Sequence, residues 1–461
     1  MKMKQALPVI FSFATISCAT SQLPPVPPSN PAGGQLAPLP EPLASIASRT
    51  LEQEAAAFLP LTLEAGTYEA EYVDAYYGPA TLKAQAEASP RSKEQLIAAA
   101  QSSIQTLNND VLPYVGDLPD KRARAQMLRG QLLAAITRLE MIGGKRFTFG
   151  TEALGLFSTE PKLKPLSDFD QVLVKLDKLI PGKGTLAARI DAFNDRYVIP
   201  TAKLKPVFDA AIAECRKRTM QHMALPPGES FTLEFVKNKP WSGYNYYQGN
   251  YKSLIQVNTD LPIRISRAVD LGCHEGYPGH HVLNLMIESK LVNEKHWNEY
   301  QVNPLYSPQS VISEGSANYG IDLAFPGAEK LAFERDVLYP LGGLDPKSAQ
   351  TLYDMQQATE ALGGARLTIA KMYLDGEIDR AKAVELSQRY LLLSPARAEQ
   401  SVSFTDHYRS YVINYGWGKD LVRGFIERAG VDGKSPDTMT RWQRMEQILS
   451  DPTLPADLIP H

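Results

Sequence analysis

Apolar residues recur at helical spacing along most of the chain beyond residue 45, and this pattern predicts a protein built mainly from helices. Between Ser92 and Asn109 the apolar positions fall largely on one helical face. A second apolar stripe starts at Pro119, a residue that favours the first turn of a helix, and runs to Ile142, where Gly143 ends it. The same helical character recurs at residues 201–222, 347–362 and 380–392.

Strand patterns are few and lie near the middle of the chain. Phe231 to Val236 alternates apolar and polar residues and is rich in β-formers, and Leu254 to Val257 is a second short run. The Tyr/Asn/Gly-rich residues before the second run indicate a loop. The pattern predicts a mainly α fold with a small central β-sheet beside the histidine-rich segment described below. Leu254 to Val257 is a candidate for pairing with an extended peptide, or else a strand without a ligand.

The N-terminal residues have the features of a targeting segment. Lys2 and Lys4 precede an apolar stretch that is too short to span a bilayer, so residues 1–17 are predicted to be a signal peptide. Cys18 stands where the lipidated cysteine of a bacterial lipoprotein stands, and the alternative is a cleaved signal peptide with an incidental cysteine. Residues 18–43 are rich in proline and are predicted to be an extended tether.

The composition of the 461 residues, with 44% hydrophobic and 21% charged residues, is that of a globular protein with a sizeable core. A net charge of −3 without a basic cluster argues against nucleic acid as a partner. Residues 44–461 are predicted to form one helical domain, with an N-terminal helical part at 44–225 and a metal-site part at 226–461. The two later cysteines, Cys215 and Cys273, are expected to be free and buried.

Three histidines lie within eight residues, in the stretch from His274 to His281 with Glu275, Pro278 and Gly279 between them. Zinc favours imidazole and carboxylate ligands, and a zinc-binding helix places two histidines four residues apart with a glutamate after the first. Here proline stands at that fourth position. In an unbroken helix His280 points about 240° away from His274, because each residue turns by about 100°.

A break at Pro278 and Gly279 removes this obstacle, since proline interrupts the helix and glycine permits unusual backbone angles. A looped-out insertion there returns His280 to the place of the second ligand. His280 is preferred to His281 because it requires the smaller distortion. His281 is then expected to face the substrate or to support a ligand.

The third ligand is expected from a later helix of small residues that begins near Glu314. Glu314 is the candidate, and Asn318 or Asp322, one and two turns further on, are expected to support a ligand histidine by hydrogen bonding. The sequence thus predicts one zinc ion per chain, held by His274, His280 and Glu314. Glu275 is the expected catalytic base.

These residues resemble a known bacterial family. The segments from His274 to His281, from Tyr251 to Pro262 and at Glu314-Gly315 are similar to the "domain of unknown function 885" family, a mainly helical branch related to gluzincin-type metallopeptidases. Ser316 and Ile321 depart from the family's usual aromatic and acidic residues, which puts substrate preference in doubt. The resemblance implies a metal-dependent, peptidase-like hydrolase whose members often carry lipoprotein signals.

A late segment around residues 406–418 resembles the tyrosine-containing C-terminal segment of that family. Tyr411 is the expected donor to the oxyanion, and His407 is a further catalytic candidate. Arg409 and Tyr415 are expected, with His281, to bind the substrate. Tyrosine and arginine in such a run also serve as helix-packing residues, which is the alternative.

Three functions follow from these predictions. The first is a zinc peptidase acting on peptides at the bacterial cell envelope, periplasmic or at the outer membrane, with its membrane contact made only through the lipid on Cys18. The second is a metal-dependent hydrolase of a non-peptide amide or ester. The third is a non-catalytic envelope protein that binds metal or peptide, and the presence of Glu275 argues against it because binding requires no base.

Overall fold

Helices make up most of the fold and the sheets are small, so the mainly α prediction is confirmed. The structure is a computed structural model, and it describes residues 41–239, 241–431 and 433–459. The predicted signal peptide, Cys18 and most of the predicted tether lie outside these residues. The first helix begins at Glu41, slightly before the end of the tether that composition predicts at residue 43.

The three apolar stripes predicted in the first half form helices, and the one at residues 201–222 is the helix from Leu204 to Met220. The stripe at residues 92–109 forms a helix from Lys93 to Thr106, capped by Ser92, and continues as a π-helical turn to Val111. The stripe from Pro119 to Ile142 is a helix over those same residues. The helices in this half are α1 (Glu41–Ala65), α2 (Ala80–Ala88), α3 (Lys93–Thr106), α4 (Pro119–Ile142), α5 (Phe149–Phe157), α6 (Asp170–Leu179), α7 (Leu186–Asn194) and α8 (Leu204–Met220).

Two small sheets separate this half from the rest. The first pairs β1 (Val73–Tyr76) with β5 (Val302–Pro304) in antiparallel fashion. The second has the order β2-β4-β3, formed by β2 (Ser230–Val236), β3 (Gly243–Gly249) and β4 (Lys252–Asn258). Strand β4 pairs with β2 in parallel and with β3 in antiparallel fashion.

The position of β4 corrects the expectation that Leu254 to Val257 pairs with an extended peptide. Both edges of β4 already carry a strand, so its backbone groups are engaged. The stretch expected to be a loop is strand β3, which lies at the edge of the sheet. Its three tyrosines favour a strand, and this preference outweighs the Asn and Gly content that suggests a loop.

The second half is again helical, and the stripes at 347–362 and 380–392 form α14 and α16. Its helices are α9 (Ser266–Leu271), α10 (His280–Met286), α11 (Pro308–Ala324), α12 (Glu329–Phe333), α13 (Tyr339–Gly342), α14 (Ala349–Glu360), α15 (Ala365–Leu374), α16 (Arg380–Tyr390), α17 (Pro395–Tyr408), α18 (Ile413–Ile426) and α19 (Thr438–Ser450). None of the helices in the described ranges combines the length and apolar character that crossing a membrane requires.

Helices α11 and α18 are held in close backbone contact by two glycines. A Cβ atom on Gly315 would lie 2.5 Å from the carbonyl oxygen of Gly418, and one on Gly418 would lie 2.8 Å from the carbonyl oxygen of Val311. Any larger residue at either position therefore forces the two helices apart. This contact brings Glu314 on α11 toward Tyr411, which lies in the short turn before α18.

Cys215 and Cys273 form a disulfide, so the expectation of free thiols is wrong. Both residues are fully buried, as expected. Two cysteines separated by 58 positions carry no pattern that indicates pairing, and only the packing of α8 against the turn after α9 brings them together. Because Cys273 directly precedes His274, the disulfide fixes the backbone beside the first predicted ligand to α8.

Replacing both cysteines by serine is expected to lower the free energy of unfolding by about 4 kcal/mol, the chain-entropy value for a closed loop of this length. Urea unfolding of the parent and the double variant measures the difference. The parent unfolded in the presence of a thiol reductant serves as the control, because it loses the bond without a change of side chain. Equal stability of the parent and the double variant contradicts a stabilising disulfide.

Candidate metal centre

The backbone between His274 and His280 leaves the helical path, as the Pro-Gly pair predicts. Helix α9 continues as a π-helical turn from Gly272 to Gly276, and α10 begins at His280. The backbone N–H of Gly279 donates to the carbonyl oxygen of Cys273 at 3.0 Å. A Cβ atom on Gly279 would lie 1.8 Å from the carbonyl oxygen of His274, so only glycine fits this closed turn.

This turn brings His274 and His280 together. Their Nε2 atoms are 3.1 Å apart and the rings are perpendicular, with centroids 4.6 Å apart. Glu314 Oε2 lies 3.4 Å from Nε2 of His274 and 3.9 Å from Nε2 of His280. Three ligand-type atoms, from the π-helical turn after α9, from α10 and from α11, thus converge on one point.

The carboxylate of Glu314 is almost enclosed, since the residue is 8% exposed. Its Oε1 accepts a hydrogen bond from the hydroxyl of Tyr411 at 3.2 Å. Its Oε2 has no hydrogen-bond partner among the described residues, although Nε2 of His274 lies 3.4 Å away. A buried carboxylate oxygen without a donor is unfavourable unless a cation satisfies it.

The second ligand is oriented by a serine, in contrast to the expected Asn318 or Asp322. Ser313 Oγ lies 2.9 Å from Nδ1 of His280, so a proton on Nδ1 leaves the lone pair of Nε2 directed at Glu314 and His274. Asn318 instead donates to the backbone carbonyl of Glu314 at 2.8 Å. Asp322 pairs with Arg423 and Lys419 at the surface of α18.

Glu275 lies beside the two histidines, and one ligand-type atom of each of the three residues lies within 4.8 Å of the others. Burial, with the nearby charges of Glu314 and Asp74, raises the pKa of Glu275 to about 7. A carboxyl that titrates near neutral pH is suited to accept and return a proton. Burial and the charge of His274 lower the pKa of His280 to about 4, which keeps that imidazole neutral.

Strand β3 lies directly against Glu275. A Cβ atom on Gly243 would be 2.9 Å from Glu275 Oε1, and the side chain of Asn245 donates to the backbone carbonyl of Glu275 at 2.7 Å. The strand therefore fixes the backbone of Glu275, and the missing side chain at residue 243 leaves room for the carboxylate. Nothing in a Tyr/Asn/Gly-rich run marks these contacts in the sequence.

His281 is turned away from the other two histidines, and the expected roles of facing a substrate or supporting a ligand do not fit this position. It is fully buried, with Nδ1 2.8 Å from Ser253 Oγ and Nε2 3.0 Å from Glu229 Oε2. Because adjacent helical residues point about 100° apart, placing His280 at the centre turns His281 toward the sheet. Its role is to anchor α10 to β4 and to the residue before β2.

Glu229 is the centre of that buried anchor. It accepts hydrogen bonds from Tyr277 at 2.5 Å, from His281 at 3.0 Å and from Arg216 at 2.6 and 2.9 Å. Burial alone raises the pKa of this carboxyl, but the hydrogen bonds from His281, Tyr277 and Arg216 outweigh it and bring the pKa to about 2. The network ties α8, β2 and the turn after His274 to one carboxylate.

Replacing Glu229 by glutamine is expected to lower the free energy of unfolding at neutral pH by about 3 kcal/mol. A carboxyl with a lower pKa in the folded chain stabilises it above the unfolded pKa of about 4.3, and this contribution is lost as the pH falls toward the folded value. The difference between parent and variant should therefore shrink between about pH 5 and about pH 3. Urea unfolding of parent and variant across this pH range tests the prediction, and Glu234→Gln, at an exposed carboxyl, is the control. A difference in the free energy of unfolding that stays constant with pH contradicts a lowered pKa of Glu229.

The C-terminal candidates divide into two groups. Tyr411 contacts Glu314, and the Tyr415 ring lies 5.9 Å from the Tyr411 ring. Burial and the charge of Glu314 raise the pKa of both tyrosines well above the ordinary value, so both hydroxyls stay protonated and able to donate. Catalysis by Tyr411 and substrate binding by Tyr415 stay predictions.

His407 and Arg409 belong to the second group, because neither contacts the centre. His407 is exposed and its Nε2 lies 2.8 Å from Glu71 Oε2. Arg409 donates to the buried carboxylate of Glu152 at 2.7 Å, and the same carboxylate accepts from the backbone and hydroxyl of Ser410. These pairs fix the turn between α17 and α18, and the predicted catalytic and substrate-binding roles of His407 and Arg409 do not fit their positions.

No family model matches the chain, and no curated protein matches it. A solved structure described as "the putative lipoprotein from Colwellia psychrerythraea" aligns with a TM-score of 0.48 and 14% sequence identity, over 80% of this chain and 68% of that one. Similarity at this level does not establish a shared fold or activity.

Proposed function

We propose that the protein is a zinc-dependent hydrolase, and that it is a peptidase acting at the bacterial cell envelope. The observation that carries this proposal is the convergence of Nε2 of His274, Nε2 of His280 and Oε2 of Glu314 within 3.1 to 3.9 Å. Membership of the "domain of unknown function 885" family, which the sequence motifs suggest, forms part of the proposal.

The donor set fits zinc. Tetrahedral zinc with ligand distances of about 2.0–2.1 Å places neighbouring ligand atoms roughly 3.3 Å apart. The separations of 3.1 Å and 3.4 Å lie close to this value, and the separation of 3.9 Å requires a small shift of one side chain. Oε2 of Glu314, which has no hydrogen-bond donor, and the neutral imidazole of His280 are both available as ligands for such a cation. The proposal is one zinc ion per chain.

When bound, zinc supplies Lewis acidity that activates water and polarises a carbonyl group. Glu275 takes a proton from the attacking water as the new carbon–oxygen bond forms. It then returns the proton to the leaving nitrogen as the carbon–nitrogen bond breaks. Tyr411, whose hydroxyl stays protonated, donates a hydrogen bond to the negative charge that develops on the carbonyl oxygen.

Strand β3 supports a peptide as the substrate. It lies beside Glu275, and in the described part of the chain its outer edge has no strand partner. An extended peptide can add to such an edge through backbone hydrogen bonds, which places its scissile bond next to the base.

The buried disulfide supports a location outside the cytoplasm, because such bonds persist mainly in oxidising compartments. This agrees with the proposed signal peptide of residues 1–17 and with a lipid anchor on Cys18. We therefore place the hydrolase in the periplasm or at the outer membrane.

Elemental analysis and peptide cleavage together test the proposed function. The purified full-length protein is expected to contain about one zinc per chain. It is also expected to cleave members of a mixed peptide pool, read by mass spectrometry, and to stop when a chelator removes the metal. Absence of zinc after incubation with the metal overturns the hydrolase proposal. Zinc without cleavage of peptides, but with cleavage of simple amides or esters, favours the second hydrolase class.

A further inference from the structure

An arginine without a partner lies among three helices of the second half. Arg366 stands in the first turn of α15, is partly buried, and forms no hydrogen bond or ion pair with any described residue. Arg124, a buried arginine of the same chain, in contrast pairs with Glu299 and Glu52. Because a guanidinium group stays charged in proteins, the cation of Arg366 is left without a counter-charge.

The groups around Arg366 do not neutralise it. Tyr415 is the ionisable side chain that acts on it, but the pKa of this tyrosine lies well above the ordinary value, so the hydroxyl carries no charge. Asp406 on α17 is exposed and already pairs with Arg380 and with the hydroxyl of Tyr373. Burial lowers the pKa of Arg366, as it does for a cation that lacks a counter-ion. Within the described residues, no anion is available to this arginine.

Arg366 lines a small cleft between α15, α16 and α17, three helices that pack on one another. Ile369, Ala370 and Tyr373 continue the α15 side of the cleft at helical spacing. Arg366 carries the only charge among the described residues that line it. The space inside is about 10 Å³, which is room for about one water-sized particle. The cleft therefore combines one positive charge with space for one small ligand atom.

Two hydroxyl groups line the same cleft. Ser387 on α16 and Ser401 on α17 both belong to its wall, and neither hydroxyl has a hydrogen-bond partner among the described residues. The hydroxyl of Thr405, one turn after Ser401, is already engaged, because it donates to the backbone carbonyl of Ser401 at 3.1 Å. A serine hydroxyl can rotate to donate its proton. A guanidinium group with two free hydroxyl donors suits a small anion, since hydrogen bonds to a charged acceptor are strong.

The charge and the size of the cleft define the anion. One guanidinium group balances one negative charge, and the N-terminal end of α15, where Arg366 stands, adds partial positive charge of the same sign. Ile369, Ala370 and Val402 give the rest of the wall an apolar character, which disfavours an ion with excess charge. A polyatomic dianion such as sulfate exceeds the available space. A monovalent anion that presents a single atom is therefore the ligand that fits.

We propose that the cleft at Arg366 binds one small monovalent anion, either a chloride ion or the oxygen of a small carboxylate. The anion joins α15 to α16 and α17 through Arg366, Ser387 and Ser401. Helix α15 also packs against the turn Arg409–Val412, which contains Tyr411, so the bound anion stabilises the part of the fold that supports this tyrosine. The site is independent of zinc and of the proposed hydrolase function.

Thermal unfolding of the zinc-loaded full-length protein is the first experiment. Sodium chloride and sodium acetate are titrated separately, with sodium sulfate at the same ionic strength as the reference. The Tm of the parent is expected to rise by about 3 °C, relative to sulfate, once the anion reaches about 100 times its Kd. A rise with chloride alone identifies a halide as the ligand, and a rise with acetate shows that a carboxylate enters.

The same titrations on two variants locate the site. Arg366→Gln removes the charge that lines the cleft, and its Tm should no longer depend on the choice of anion. Arg389→Gln is the matched control, because Arg389 also lies among these helices, on α16, but is exposed and pairs with Asp170. This control should keep the parent's dependence on chloride or acetate. A chloride ion that binds to the zinc would act equally on the parent and on both variants.

A crystal of the parent soaked in sodium bromide gives the second measurement, because the anomalous scattering of bromide marks a halide directly. A bromide peak beside the guanidinium group of Arg366, together with the rise in Tm of the parent, supports the site even if Arg366→Gln does not fold. A Tm that responds to neither chloride nor acetate overturns the proposal, and a bromide peak would then show binding at crystal concentration only. An equal response in the parent and in Arg366→Gln also overturns it, since the anion then binds elsewhere.

Discussion

Replacing Glu275 by glutamine is expected to leave zinc bound while lowering the rate of hydrolysis by about 10²–10⁴-fold, the range that general acid–base groups contribute. Glutamine keeps the shape of the side chain but cannot accept a proton. His274, His280 and Glu314 are untouched by the change. The effect should appear in kcat and in kcat/KM alike, because the proton is transferred in the transition state.

Zinc content by elemental analysis and the cleavage rate on one peptide are the two measurements. Glu294→Gln is the matched control, since Glu294 is exposed and, within the described ranges, pairs with Lys290 alone, one helical turn away. The control should keep both zinc and activity. Full activity in the Glu275 variant means that another group is the base.

Replacing His280 by alanine is expected to remove zinc and to abolish hydrolysis. Loss of a residue that only supports a ligand weakens metal binding by up to about 100-fold, so the loss of a ligand itself should exceed this. The structure predicts a similar result for Glu314→Ala, because the three ligand atoms share one point. Zinc titration with a competing chelator gives the affinities.

His407→Ala is the informative control for this experiment. It also removes an imidazole, from a residue that the sequence suggested for catalysis, but the ring pairs with Glu71 at the surface. Zinc binding and activity should both persist. A His280 variant that retains zinc at the parent's affinity shows that the metal lies elsewhere.

The helices that the sequence predicted individually could be found because their signals are local. The apolar stripe from Pro119 to Ile142 is a complete helix signal, with proline at its start and glycine after its end, and the structure has the same bounds. Strand β3 could not be predicted from the sequence. Its extended structure depends on pairing with β4 and packing against Glu275 rather than on its own composition. Pairing in sheets is a long-range property.

The same distinction holds for the site. His274, Glu275 and His280 lie within seven residues, so their chemistry and the effect of the Pro-Gly break could be reasoned out from the sequence. Glu229 and His281, which form the buried anchor beside the centre, are 52 positions apart, and Glu229 belongs to no recognisable motif. The disulfide partners are likewise joined only by the packing of helices. Chemistry assembled from distant segments leaves no local pattern.

The glycines at the centre have a consequence for how relatives of this protein are recognised. Gly279, Gly315 and Gly418 perform no chemistry, yet each stands where a single methyl group would overlap a backbone carbonyl. Selection on the metal centre should therefore act on these three positions almost as strictly as on the ligands. Consider a related chain that retains both histidines and both glutamates but has alanine at these three positions. It should have lost the geometry of the centre, and with it the activity. It would still match a sequence pattern defined by the ligands alone.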